Sequence, residues 1–252
     1  MTLKEQVLQL KTDFDDVYAK GKADGQAEGG DVSEIVSQFA DTIQQRAENS
    51  QNRGTYNNSF LASNITETVL AKVMNAWDTS KSIIRTDFMF SKAPNIGKGL
   101  YTDKFDLSNA RTARGIFSNS GVTKLKVIDV RKTESGYNGM ANMFFDCKAL
   151  VSIDEFYPST KTNFSGTFSG CSMLKTVIFK SEISQDLLDL SKSVLLDKES
   201  FESVINQLSS TASGLTVTLS LTAVNNAFEG GKDGTDWQTL IATKPNWTIA
   251  YA

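Results

Sequence analysis

Between residues 86 and 180 the chain repeats itself, and this limits its architecture more than any other feature. Phe90, Phe117, Phe144 and Phe168 form one column, at offsets of 27, 27 and 24 residues. Three residues after each comes a small side chain: Ala93, Ser120, Cys147 and Cys171. The next apolar column reads Ile96, then Leu125 after a slip of two residues, then Leu150 and Leu174. Three residues further on stand Ile128, Ile153 and Val177. A unit this short cannot bury its own apolar face and must bury it against its neighbours, which is the logic of a stacked solenoid. The columns therefore predict a continuous core of stacked Phe, Leu and Ile, with polar turns at its rim.

Two of the copies carry more than apolar spacing. The phrases Phe144-Phe145-Asp146-Cys147-Lys148-Ala149-Leu150-Val151-Ser152-Ile153 and Phe168-Ser169-Gly170-Cys171-Ser172-Met173-Leu174-Lys175-Thr176-Val177 resemble irregular bacterial leucine-rich repeats of the surface-protein (BspA-like) class. The copy at 117 reads as carrying an insertion, and the copy at 90 keeps only the apolar skeleton. The resemblance implies an α/β repeat fold: a short right-handed leucine-rich-repeat solenoid with one parallel strand per repeat. It also implies a binding or structural role in place of catalysis.

Composition narrows the partners. The 252 residues are 40% apolar, enough for a folded core, with a formal net charge of −3 and both signs interspersed. A nucleic-acid partner has no basic stripe to bind. No run of 18 apolar residues exists to span a membrane. Met1-Thr2-Leu3-Lys4-Glu5-Gln6 lacks the apolar core of a signal peptide, which argues against a secreted adhesin. The two cysteines occupy the same place in successive repeats, where stacked side chains rarely meet the torsion a disulfide requires. Small buried thiols are the expectation. With no histidine in the chain, an ordinary zinc site is not expected.

At the N terminus Leu3, Val7, Leu10, Phe14 and Val17 advance in steps of four and three, one stripe of a helix. The stripe is too short to declare a coiled coil. Nothing nearby in sequence covers it, so it reads as an attachment or oligomerisation element. Glycines at 21, 25, 29 and 30 end that helix as a hinge; neither the strand nor the Gly-Lys-Ser/Thr of a phosphate loop is present. Val32, Ile35, Phe39 and Ile43 suggest a second helix. Residues 47–64 read as an irregular polar connector, and Val69 to Trp77 as a short strand or helix. The domains expected are 1–47 for attachment, 48–85 as connector, 86–185 as solenoid and 186–252 as final rung and cap.

Asp13-Phe14-Asp15-Asp16-Val17-Tyr18-Ala19-Lys20-Gly21-Lys22 is similar to the opening of structural proteins from tailed phages of gram-positive hosts. In those proteins a short helix and a polar connector precede repeats of this type. The tail of the chain extends the likeness. Asp186–Ser191 reads as a further strand rung, 197–208 as a helix with Phe201, Val204, Ile205 and Leu208 on one face, and Leu215–Leu219 as a half-buried strand. A helix from Trp237 to Ala242 and a strand from Trp247 to Ala250 complete an α/β cap. The resemblance implies a virion component that leaves its host by lysis and needs no targeting segment.

Candidate chemistry is sparse. The segment 229–236 reads as a glycine-rich turn lacking the spacing and terminal Glu of a calcium loop. Asp154 and Glu155 are adjacent in a predicted strand, where they would point to opposite faces, a poor geometry for an acid/base pair. Without histidine or a Gly-x-Ser-x-Gly elbow, Ser and Cys nucleophiles lack their usual activating partner. Tyr137, Phe156 and Tyr157 fall in rim segments and are candidates for a recognition surface, with burial the other account of Phe156. No enzyme activity and no cofactor are expected. Two roles remain. One is a non-catalytic structural protein of a tailed-phage virion (tail, baseplate, fibre or head decoration), meeting other virion proteins through its N terminus, self-associating and offering a surface to a host ligand. The other is a bacterial leucine-rich-repeat adhesin or protein-binding module.

Overall fold

In a computed structural model, which describes residues 60–76, 85–134 and 139–252, the chain is α/β, with two small parallel sheets and no closed barrel among the described residues. Its elements run α1 (Glu67–Ala76), β1 (Lys124–Asp129), β2 (Ser152–Tyr157), β3 (Thr176–Phe179), β4 (Leu188–Leu190), α2 (Lys198–Gln207), β5 (Leu215–Leu219), α3 (Leu221–Ala227), α4 (Thr235–Ile241) and β6 (Trp247–Tyr251). One sheet has the order β1-β2-β3 and the other β4-β5-β6.

The phenylalanine column stands in the core as a ladder of rings. Phe90 stacks on Phe117 at 5.7 Å between centroids, Phe117 on Phe144 at 5.5 Å, and Phe144 on Phe168 at 5.5 Å. Phe60, inside the segment read as a polar connector, continues the ladder at 5.1 Å from Phe90. Backbone bonds repeat with the rings. The Phe60, Phe90, Phe117 and Phe144 amides donate to the Met89, Ile116, Met143 and Thr167 carbonyls of the next tier. Two residues on, Ala62, Lys92, Asn119 and Asp146 donate to Ser91, Ser118, Phe145 and Ser169. Both the apolar and the polar requirement of each tier are thus met by its neighbour.

This tier backbone needs a left-handed residue on each side of the ring. Two residues before it stand Phe88, Gly115, Asn142 and Gly166, and two after it Ala62, Lys92, Asn119, Asp146 and Gly170, all with φ between 54° and 82°. Gly, Asn and Asp fill most of these places because they bear the left-handed conformation at least cost.

The strand register corrects the sequence alignment. Leu125 pairs with Ile153, and Ile153 with Val177; Ile128 pairs with Phe156. Leu125 therefore does not share a column with Leu150 and Leu174. Val122, fully buried, stands three residues before Leu125 as Leu150 does before Ile153, and the Val151 amide donates to the Thr123 carbonyl next to it. The copy at 117 is one residue shorter between its Phe and this position than the copy at 144; it holds no insertion.

Residues 69–76 belong to α1, which buries Leu70 and Met74. The strand at 188–190 opens the second sheet and pairs with β5. Ser193 donates to the Cys171 carbonyl and Asp197 to that of Lys175, so this stretch also lies on the tier before it. Asp197 caps α2, whose Phe201 meets Phe228 and Trp237 in an aromatic cluster, with centroids 4.9 to 6.1 Å apart. The residues 221–227, assigned no element from sequence, form α3.

Candidate functional site

Leu125 and Ile128 of β1 are both buried, as are Ile153 and Phe156 of β2, so two consecutive residues between them face outward on each strand. Against β3 the register shifts between Ile153 and Phe156, the mark of one extra residue in β2. Strict alternation fails here, and Asp154 and Glu155 are both half-exposed instead of pointing to opposite faces.

A segment from the preceding tier supplies the rest of the site. Leu100, Phe105 and Leu107 anchor it in the core, with Phe105 edge-on to Phe90 and Phe117 at 6.0 Å. Tyr101 and Asp103, between these anchors, are turned out, and Tyr101 is 42% exposed. The Tyr101 hydroxyl donates to Asp154 Oδ2 at 2.6 Å, and Lys126 Nζ meets Asp103 Oδ1 at 2.7 Å. At the other end of the strands the Tyr157 hydroxyl donates to Glu155 Oε2 at 2.7 Å. The Arg131 guanidinium grips Asp129 through two bonds of 3.0 and 2.6 Å and lies 4.9 Å over the Tyr157 ring.

Every resolved shift on this face moves a group away from neutral pH. Donation to Asp154 raises the Tyr101 phenol above its ordinary value, and donation to Glu155 raises Tyr157. Asp103 raises Lys126, and Asp129 raises Arg131. These are phenols held protonated and cations held charged, each by a carboxylate beside it.

Phe90, Ile96, Phe117, Leu125, Ile128, Phe144, Cys147, Leu150, Ile153, Phe168, Cys171, Leu174 and Val177 all lie in one buried cluster. Both cysteines are free thiols. Cys147 Sγ donates to the Phe117 carbonyl at 2.9 Å and Cys171 Sγ to that of Phe144 at 3.1 Å, tier to tier. Burial pushes the Cys147 thiol up to about 11 and raises Cys171 well above its ordinary value, which withholds the thiolate from chemistry. Phe156 is fully buried against Phe144 and Phe168, and Tyr157 alone of that pair reaches the surface. Leu3, Val7, Leu10, Phe14 and Val17 lie outside the described residues, as do the glycines at 21–30, the segment 32–43 and Tyr137. The turn at 229–236 holds left-handed Gly230 and Gly231 and a 3-10 turn at Gly231–Asp233, which Asn225 Oδ1 ties down by accepting from the Lys232 amide.

Sequence reasoning missed Tyr101, Asp103, Lys126 and Arg131. Tyr101 and Asp154 are 53 residues apart, and only the tier geometry joins them. Among the described residues no group of three or more His, Cys, Asp or Glu is placed to hold a metal ion, and no helix is long and apolar enough to cross a membrane. The chain matches no family model, no curated protein and no solved structure.

Proposed function

We propose that the chain is a non-catalytic leucine-rich-repeat protein of the irregular BspA-like class, serving as a structural component of a tailed-phage virion. In this reading the repeats form a right-handed solenoid, residues 1–20 attach the chain to other virion proteins or to copies of itself, and the outer face of β1 and β2 is offered to a ligand. The observation that carries it is the tier-to-tier ladder from Phe60 to Phe168. It sets the buried rings, both thiols and the backbone donors of each tier in contact with the next, and leaves an outward face of tyrosines whose hydroxyls are held by carboxylates. The virion setting is supported by the likeness of residues 13–22 to phage structural proteins.

The experiment is quantitative mass spectrometry of gradient-purified particles from the host that encodes the chain. The chain should co-purify at a fixed ratio to the major capsid protein, and deletion of residues 1–20 should remove it from particles while leaving its circular dichroism of folded chain. Infectious particles free of the chain, or undiminished incorporation of the deletion variant, would overturn the assignment.

A further inference from the structure

We infer that the outer face built from Tyr101, Asp103, Lys126, Asp154, Glu155 and Tyr157 is a binding site for a neutral glycan, of the hexose or N-acetylhexosamine class. The inference rests on the reading of this face as a ligand-binding surface and names what it takes.

Charge is the first argument. Lys126 already shares its charge with Asp103 at 2.7 Å and Arg131 with Asp129 at 2.6 Å, and the half-exposed carboxylates Asp154 and Glu155 beside them repel a phosphate, sulfate or acidic polymer. A polycation would be drawn to Asp154 and Glu155 but would meet Lys126 and Arg131 on the same face. A ligand without charge meets neither penalty.

Hydrogen bonding is the second. Asp154 and Glu155 each accept one phenol hydroxyl, at 2.6 and 2.7 Å, and a carboxylate has lone pairs left for further O–H donors. Both carboxylates are half-exposed, in consecutive positions between buried Ile153 and Phe156. Sugar hydroxyls are donors of the kind such a pair accepts, in charge-assisted bonds.

The third is the rings. Tyr101 is large, 42% exposed and fixed at its tip by Asp154, so its ring is ordered before any ligand arrives. Its exposed aromatic surface ends at the Asp154 carboxylate, a pairing that suits the C–H side and the hydroxyls of a pyranose together. Tyr157 already has Arg131 over its ring and serves at the hydroxyl end.

The test uses the full chain, fluorescently labelled, on a printed array of neutral hexose and N-acetylhexosamine oligosaccharides. Isothermal titration with the best binder follows, for the wild type and for Tyr101→Ala, Tyr101→Phe and Asp154→Asn. Both positions lie on the surface, and unchanged melting curves will certify each variant as folded. The expected result is binding that is level from low to high salt and weakened by about tenfold or more in Tyr101→Ala and Asp154→Asn. Tyr101→Phe, which keeps the ring and loses only the hydroxyl bond, should fall between the wild type and Tyr101→Ala. Absence of any neutral binder, binding undiminished in the variants, or binding that collapses with salt and so marks a charged partner would each overturn the inference. Incorporation into particles is read separately. A chain present in particles that binds no glycan sinks this inference alone, and a glycan-binding chain absent from particles sinks the virion assignment alone.

Discussion

Lys92 holds φ at +56°, a place where neighbouring tiers put Asn119, Asp146 and Gly170. Its amide makes the tier bond to Ser118 whatever its side chain is, and that side chain is exposed. A left-handed backbone costs an L residue about 1–2 kcal/mol, against about 0.5–1 kcal/mol of extra chain entropy lost by glycine. Lys92→Gly should therefore raise stability by about 0.5–1 kcal/mol, read as a higher urea midpoint at unchanged slope. A lower midpoint would mean that the lysine stem covers apolar surface worth more than the strain. Gly121 is the opposite case. A Cβ there would run into the Pro94 carbonyl of the preceding tier, so no side chain fits. The recurring Gly, Asn and Asp on both sides of Phe117, Phe144 and Phe168 were legible as a second periodic signal. Phe88, Lys92 and Ala62 broke the pattern, and the apolar columns drew the alignment instead.

The helix α2 shows which elements a sequence can disclose. Its N-cap is local: Asp197 Oδ1 accepts from the Ser200 amide and hydroxyl, and Phe201, Val204 and Ile205 are buried on one face. Its C-terminal end is not local. Lys244, 36 residues beyond Leu208, donates from Nζ to the Leu208 carbonyl at 2.5 Å and to that of Asn206 at 3.1 Å. A cation there meets both orphan carbonyls and the negative end of the helix dipole. Lys244→Met keeps much of the apolar stem and removes the donors, and should cost about 1–2 kcal/mol in chemical denaturation. A loss below a few tenths of a kcal/mol would show that water replaces the ammonium freely. The same contrast explains the other outcomes. The strand Leu215–Leu219 was legible because alternation is local, whereas α3 was not, since it buries only Ala223 and Val224 and so offers no stripe. Tyr101 and Asp154 meet only after folding, and no pattern along the chain joins them. The register of β1 went astray because the copy at 117 lost one residue before Val122, which made Leu125 look like the next rung.

The ring ladder and the strand pairings both link each tier to the next, so stability should be shared among neighbours more than across the molecule. Phe117 tests this. Its ring is fully buried between Phe90 and Phe144, with Phe105 edge-on at 6.0 Å. Phe117→Ala removes the ring contacts on both sides and leaves a cavity, a loss of about 3–5 kcal/mol. In a molecule with one indivisible core that loss would lower protection everywhere by the same amount. With neighbour-to-neighbour coupling it should concentrate in the tiers around 86–134. The second sheet, β4-β5-β6, lies beyond α2 from the tiers and is tied to the aromatic cluster through Trp237, whose Nε1 donates to the Tyr251 hydroxyl of β6 at 2.7 Å, so it should keep most of its protection. Hydrogen exchange followed by mass spectrometry separates the two outcomes. Peptides covering 110–130 should exchange faster in the variant, and peptides covering 215–251 should exchange nearly as in the wild type. Equal acceleration of both would show that the tiers and the cap unfold as one body, and that the ladder transmits the loss of a single ring along its whole length.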